Sequence, residues 1–250
     1  MLRRLLTRFG FTALGAVYAM LGAAALFIAV RGARDRAEGF AGTFRFLLHR
    51  PNGPTILACV AAGLAAFVLA QLADAADGNR PLFGRALALA SAIGHGGLAW
   101  IAVSLLLRLR RGPTSVRSVL ARLLARPWGA TALQLIGIAV IAGGAFQLWQ
   151  AVSGQLRQKL ARRRLGSAHS FAIRIGRFGL AARSVVTVIV GWFLLRAADT
   201  LDPRQFHEIG GALDVLHTMR FGGLLLGLAG VGLAAYGAYL VLLGFFRRAT

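Results

Sequence analysis

The chain reads as an all-α polytopic membrane protein. Six transmembrane helices are expected, arranged as three parallel two-helix repeats with an interfacial amphipathic helix between the spans of each. Three observations predict this: a composition too apolar for a water-soluble domain, six apolar stretches of spanning length, and one segment that recurs three times. Of the 250 residues, 57% are hydrophobic and 15% are charged, whereas a soluble domain carries about 25% charged residues. Mean hydropathy is +0.67. A net charge of +21 would suggest nucleic acid in a soluble protein. Here almost every cation lies between apolar runs, so membrane lipid headgroups are the expected anionic partner and nucleic acid is not. The single cysteine, Cys59, lies inside an apolar stretch, which rules out an internal disulfide and a cysteine-based metal site.

The recurring segment is clearest at residues 211–239. Its first twelve residues, GALDVLHTMRFG, line up with residues 42–53 (GTFRFLLHRPNG) and 118–129 (SVLARLLARPWG). The match continues into the apolar run that follows, where Gly232-Leu233-Ala234-Ala235-Tyr236 falls on Gly63-Leu64-Ala65-Ala66-Phe67 and Gln147 falls on Gln71. A repeat of this kind determines architecture before any single element is assigned.

The first span follows a basic start, Arg3, Arg4 and Arg8, which also resembles a signal peptide. Gly10, Ala13 and Gly22 recur at the same spacing as Gly179, Ala182 and Gly191, so a retained span is the better reading. A hydrocarbon core of about 30 Å needs about 20 apolar residues as helix. Stretches near 9–30, 54–73, 86–107, 129–152, 178–195 and 221–246 qualify, the fifth interrupted by Arg183. Pro54 suits a helix start, where its missing N–H costs little. Glycines such as Gly137, Gly144, Gly230 and Gly237 let backbones approach closely and point to a packed bundle.

Between paired spans lie short segments with helical spacing of apolar residues. They are Phe40, Phe44, Leu47 and Leu48 in the first; Val116, Val119, Leu120 and Leu123 in the second; Phe206, Ile209, Leu213 and Leu216 in the third. Too short and too charged to span, each is expected to lie in the membrane interface. The resulting division is 1–75 for repeat 1, 80–153 for repeat 2, 154–168 for a basic linker and 169–250 for repeat 3. Two spans per unit return the chain to its starting side, so the repeats would be related by a pseudo-threefold axis along the membrane normal. Lys and Arg are nearly balanced across the two sides; the N-terminal arginines and the run RQKLARRR tip the orientation to cytoplasmic termini.

These residues carry a resemblance to a family. Gly179-Leu180-Ala181-Ala182-Arg183-Ser184-Val185-Val186-Thr187, Ala212-Leu213-Asp214, Phe221-Gly222 and the GLAAY run resemble the bacterial integral-membrane family called domain of unknown function 1206. The resemblance implies three two-helix units over essentially the whole chain and a multi-pass location in the bacterial cytoplasmic (inner) membrane. It implies no activity and assigns no role to any residue. The family-like arginine is kept only as Arg183, with Leu14 and Gly96 in the corresponding places of units one and two; Tyr18 falls on Trp100 and Thr187.

Candidate functional residues are few. An intramembrane charge is a functional-site hypothesis by default, which puts Arg183 first. The ordinary reading is that Arg183, five residues past Phe178 or about 7.5 Å of helix rise, snorkels to the headgroups or makes a structural contact. The sharper one is contact with substrate, lipid or ion. Thr187, one turn deeper, is the position that would report a water-filled cavity. Gln71 and Gln147 occupy equivalent places, but Leu240 stands in the third; interhelical hydrogen bonds of about 0.6 kcal/mol are their expected role. His95, beside Gly94, Gly96 and Gly97, would suit a proton relay only with an intramembrane carboxylate nearby.

Asp214 and His217 share a helical face, but no zinc motif accompanies them, so no metal and no cofactor is expected. The run at Arg157, Lys159, Arg162, Arg163 and Arg164 is a topology determinant able to hold anionic lipid headgroups at about 1 kcal/mol per cation. No nucleophile elbow, phosphate loop or paired intramembrane carboxylates occur, so catalysis is not expected. The expected function is a structural or accessory six-helix bundle that binds lipid or a membrane partner, a second copy included. The alternative is a transporter or channel with a pathway on the pseudo-threefold axis. Mitochondrial carriers share that architecture, but their proline-acid signature is absent here, and architecture alone carries no activity.

Overall fold

A computed structural model describes residues 2–31, 39–79, 81–107, 116–156, 169–207 and 209–246. Among the described residues the chain is helical: α1 (Leu2–Arg31), α2 (Phe40–Leu48), α3 (Gly53–Ala76), α4 (Leu82–Leu106), α5 (Val116–Leu124), α6 (Gly129–Val152), α7 (His169–Asp199), α8 (Ile209–Thr218) and α9 (Gly222–Phe246). A 3-10 turn, Pro203–Gln205, separates α7 from α8. Helices α1, α3, α4, α6, α7 and α9 are long and apolar enough to cross a membrane. The expected spans hold, with one large difference: the fifth helix begins at His169, not near 178. Arg174 and Arg177 end the apolar stretch but not the helix, because arginine is a good helix former.

The short helices α2, α5 and α8 pack on the ends of the long ones. The apolar face of α2 is buried at Phe40, Phe44 and Leu47. In α5 Leu120 is buried but Val119 is exposed, which departs from the expected face. Phe206 is buried as expected but precedes α8, in a cluster with Leu120, Leu133, Leu194, Ala197 and Ala198. Each short helix turns directly into the next span at a glycine. A Cβ on Gly53, Gly129 or Gly222 would strike the carbonyl oxygen of Leu47, Leu123 or His217 respectively. That close approach is why the same glycine closes all three copies of the repeat.

Two kinds of seam hold the spans together. Between repeats, α9 packs on α1 through Gly230 and Gly237 facing Gly22 and Gly15, and α6 packs on α7 through Gly137 and Gly144 facing Gly191 and Ser184. These are the same positions of the repeat used twice. The third copy of this seam joins α3 to α4, with Ala88 and Ala92 buried on α4. Within repeats, Gly10 lies on Phe67 and Gly63 on Ala13 to join α1 to α3. Gly179 on Tyr236 and Gly232 on Ala182 join α7 to α9 in the same way. Lipid tails are as apolar as leucine, so close backbone packing of small residues, not hydrophobic exclusion, supplies the association.

The second repeat lacks the inner seam. Helices α4 and α6 do not pack along each other, so the spans run α4, α3, α1, α9, α7, α6 as an incomplete ring. The two end helices are the least enclosed of the six.

Candidate functional site

Arg183 sits in the middle of α7, fourteen residues after His169 and sixteen before Asp199, or about 21 Å of rise from the helix start. The sequence left open whether Arg183 snorkels to the headgroups or makes a structural contact within the bundle. The guanidinium turns inward. Its Nε donates to Tyr18 Oη at 2.8 Å, and Nη1 donates to Gln147 Oε1. Its central carbon lies 5.4 Å from the Tyr18 ring centre and 5.1 Å from that of Tyr236, both within cation–π range.

The aromatic frame around Arg183 is continuous. Tyr18 meets Tyr236 edge to face at 5.0 Å and Phe40 of α2 at 5.5 Å, the geometry favoured by ring quadrupoles. His95 rests edge-on against Phe67 at 4.9 Å. Its Nδ1 is 2.8 Å from the Ser91 carbonyl; a carbonyl only accepts, so Nδ1 holds the proton. Tyr18, Gln147, Arg183 and Tyr236, one from each of four spanning helices, thus meet, and Phe67 and His95 form a second pair.

Of the residues singled out in the sequence, Arg183 and Gln147 come together, while His95 packs on Phe67. Thr187 does not join them as a polar contact, because its hydroxyl donates to the Arg183 carbonyl at 2.9 Å within its own helix. Gln71 is half-buried on α3 and does not share the Arg183 contact made by its repeat mate. Tyr18 and Tyr236 are functional candidates that residue type alone did not flag. The available signal for Tyr236 was its place in the repeat, since it matches Phe67 and the backbone of both lies against a glycine of the partner helix. The run of cations between 157 and 164 lies outside the described residues. Asp214 and His217 belong to α8, and among the described residues no three His, Cys, Asp or Glu side chains converge as a metal site requires.

Charge makes the cluster unusual. Every partner of Arg183 among the described residues is neutral: two phenols and one amide. Buried or membrane-embedded cations are ordinarily paired with acids or backbone carbonyls. Two other arginines of the long helices follow that rule. Arg85 Nε donates to the Ala75 carbonyl at 2.9 Å. Arg177 donates to the carbonyls of Ala151 at 2.7 Å and Val152 at 3.1 Å. Each thereby caps the C-terminal carbonyls of the preceding repeat's last helix, where a cation also opposes the helix dipole.

Six spanning helices in three two-helix units, with small residues along the seams, define a multi-pass membrane protein built by internal repetition. The chain belongs to the family described as Domain of Unknown Function (DUF1206), whose model matches residues 9–78, 86–154 and 178–247. It is similar to the Uncharacterized protein YxxB of Bacillus subtilis (strain 168), 28% identical over 97% of this chain and 90% of that protein. No solved structure matches.

The three matches begin one residue after Arg8, Arg85 and Arg177, the last two being the helix-capping arginines. Counted without gaps from those starts, the second repeat moves by five residues from the alignment made on glycines. Ser91 rather than Gly96 then stands opposite Leu14 and Arg183, and His95 rather than Trp100 opposite Tyr18 and Thr187. Trp100 is exposed, whereas His95 packs on Phe67.

Proposed function

We propose that this protein binds an anion inside the membrane, with Arg183 as its cation and Tyr18, Gln147 and Tyr236 around it. One observation carries the reading: a mid-span guanidinium whose described partners are all neutral. A charge at that depth costs about 2.5–3.5 kcal/mol on insertion scales, and an anionic ligand would offset that cost. Hydroxyl and amide partners fix the guanidinium's direction without neutralising it. Expected activity is therefore recognition, with no bond made or broken.

The experiment is thermal unfolding of the detergent-purified full chain with added inorganic phosphate, against Arg183→Gln. Binding at 100 times the dissociation constant stabilises by about 2.7 kcal/mol, so the wild type should gain several degrees and Arg183→Gln none. Equal gains in both proteins, or none in the wild type, would remove the reading. A purely structural Arg183 predicts instead that Arg183→Gln unfolds far earlier in either buffer.

The location that suits this reading is the cytoplasmic membrane of a bacterium with both termini inside, and α2, α5 and α8 lying at the outer interface. Arg3, Arg4, Arg8 and the run at 157–164 support it. The same run would hold anionic headgroups on that side by its charge. An impermeant thiol reagent applied to intact cells, with Cys59 replaced and one cysteine placed in α5, should label from outside; labelling only after lysis would reverse the orientation.

A further inference from the structure

We infer that the anion reaches Arg183 sideways from the lipid, through the opening between α4 and α6, as the head of an acyl-chain amphiphile. This rests on the anion-binding reading and names its ligand class and route. The opening lies where α4 and α6 do not pack along each other. In repeats 1 and 3 the backbone at Phe67 and Tyr236 lies against a glycine of the partner span, Gly10 and Gly179. In repeat 2 the same position, four residues before the matched glutamine, holds Gly143. Among the described residues no atom lies within 4 Å of where a Cβ on Gly143 would stand. The close backbone approach that joins the other two pairs of spans is missing from this one.

The opening and the cation are contiguous. Gly143 and Gln147 are one helical turn apart on α6 and so share a face, and Gln147 holds Arg183. The walls have the other half of the required chemistry. Residues 86–107 and 129–152 contain no Asp, Glu, Lys or Arg, so an anion travelling with its water would meet no compensating group on the way. An acyl chain meets a surface equivalent to its own surroundings, and within a bilayer an apolar cleft open to the side fills with such chains. A cation at the inner end selects the chain that carries a negative head, carboxylate or phosphate, over one with a zwitterionic head.

The test uses delipidated full chain in detergent and native mass spectrometry, titrated with phosphatidylglycerol, with phosphatidylcholine, and separately with inorganic phosphate followed by thermal unfolding. The wild type should bind phosphatidylglycerol at least tenfold more tightly than phosphatidylcholine. Gly143→Phe fills the open space on α6 and should lose phosphatidylglycerol by tenfold or more while keeping the stabilisation by inorganic phosphate. Gly143→Ala, with too little bulk to close the opening, should behave as wild type. Arg183→Gln should lose both ligands.

Undiminished phosphatidylglycerol binding in Gly143→Phe overturns the lateral route but leaves the anion reading standing. A wild type stabilised by phosphate but blind to phosphatidylglycerol overturns the amphiphile and points to an aqueous path. A wild type that responds to neither removes both proposals. A dimer mass that Gly143→Phe dissolves gives the opening to a second copy of the chain.

Discussion

Repeats 1 and 3 are closed and repeat 2 is open, although all three carry the same short helix, the same turn glycine and the same outer seam. In the closed repeats the backbone at one position lies against a glycine of the partner span, Phe67 on Gly10 and Tyr236 on Gly179. Repeat 2 has Gly143 there and its two spans stand apart. The difference teaches that the outer seams, made of small residues, set the order of the spans, while the inner backbone approach at this position accompanies the closing of a unit. Threefold repetition thus produces an asymmetric molecule.

The comparison breaks most sharply at the glycines. A Cβ on Gly22 would lie 2.5 Å from the backbone of Gly230 and Ala234, atoms that cannot yield without parting α1 from α9. Gly22→Leu is expected to cost about 3 kcal/mol or more, seen as loss of the monodisperse peak in fluorescence-detected size exclusion. The same exchange at Gly94 meets open space and should change stability by about 0.5 kcal/mol or less.

Making repeat 1 resemble repeat 2 is the next largest effect. Phe67→Gly removes a buried ring that packs on Phe11 and His95. A loss of about 3 kcal/mol is expected, or about 6–12 °C in Tm for a chain of this size. A smaller drop than Arg177→Gln produces would show that this ring does not help hold the repeat shut.

The capping arginines follow. Arg177→Gln gives up bonds to two carbonyls and should cost about 2 kcal/mol, and Arg85→Gln, with one, about 1 kcal/mol. Hydrogen–deuterium exchange should quicken at the ends of α6 and α3 respectively and stay unchanged elsewhere. Smallest in stability is Gly143→Phe, expected within about 0.5 kcal/mol of wild type because the added ring enters unfilled space; its large effect is on lipid binding.

Much of this architecture was legible beforehand. Five of the six spans, the turn glycines and the equivalence of Gln71 with Gln147 follow from hydropathy and spacing. The helix of the fifth span extends back to His169, beyond its apolar stretch, because Arg174 and Arg177 lower hydropathy without breaking the helix. Tyr18 and Tyr236 escaped notice as site residues because an aromatic in a span is ordinarily packing, and their hydroxyls and ring faces acquire meaning only beside a guanidinium.

The sequence alone determined that six helices cross a membrane in three similar units, because length, hydropathy and repetition are properties of consecutive residues. Only the tertiary structure decided which unit stays open and what surrounds the buried charge. Arg183 and Tyr18 are 165 residues apart along the chain, and no local pattern encodes that meeting. It arises because backbone approach at Gly15, Gly22, Gly230 and Gly237 joins the first span to the last. A partner chosen by packing between distant segments is a property of the assembled bundle.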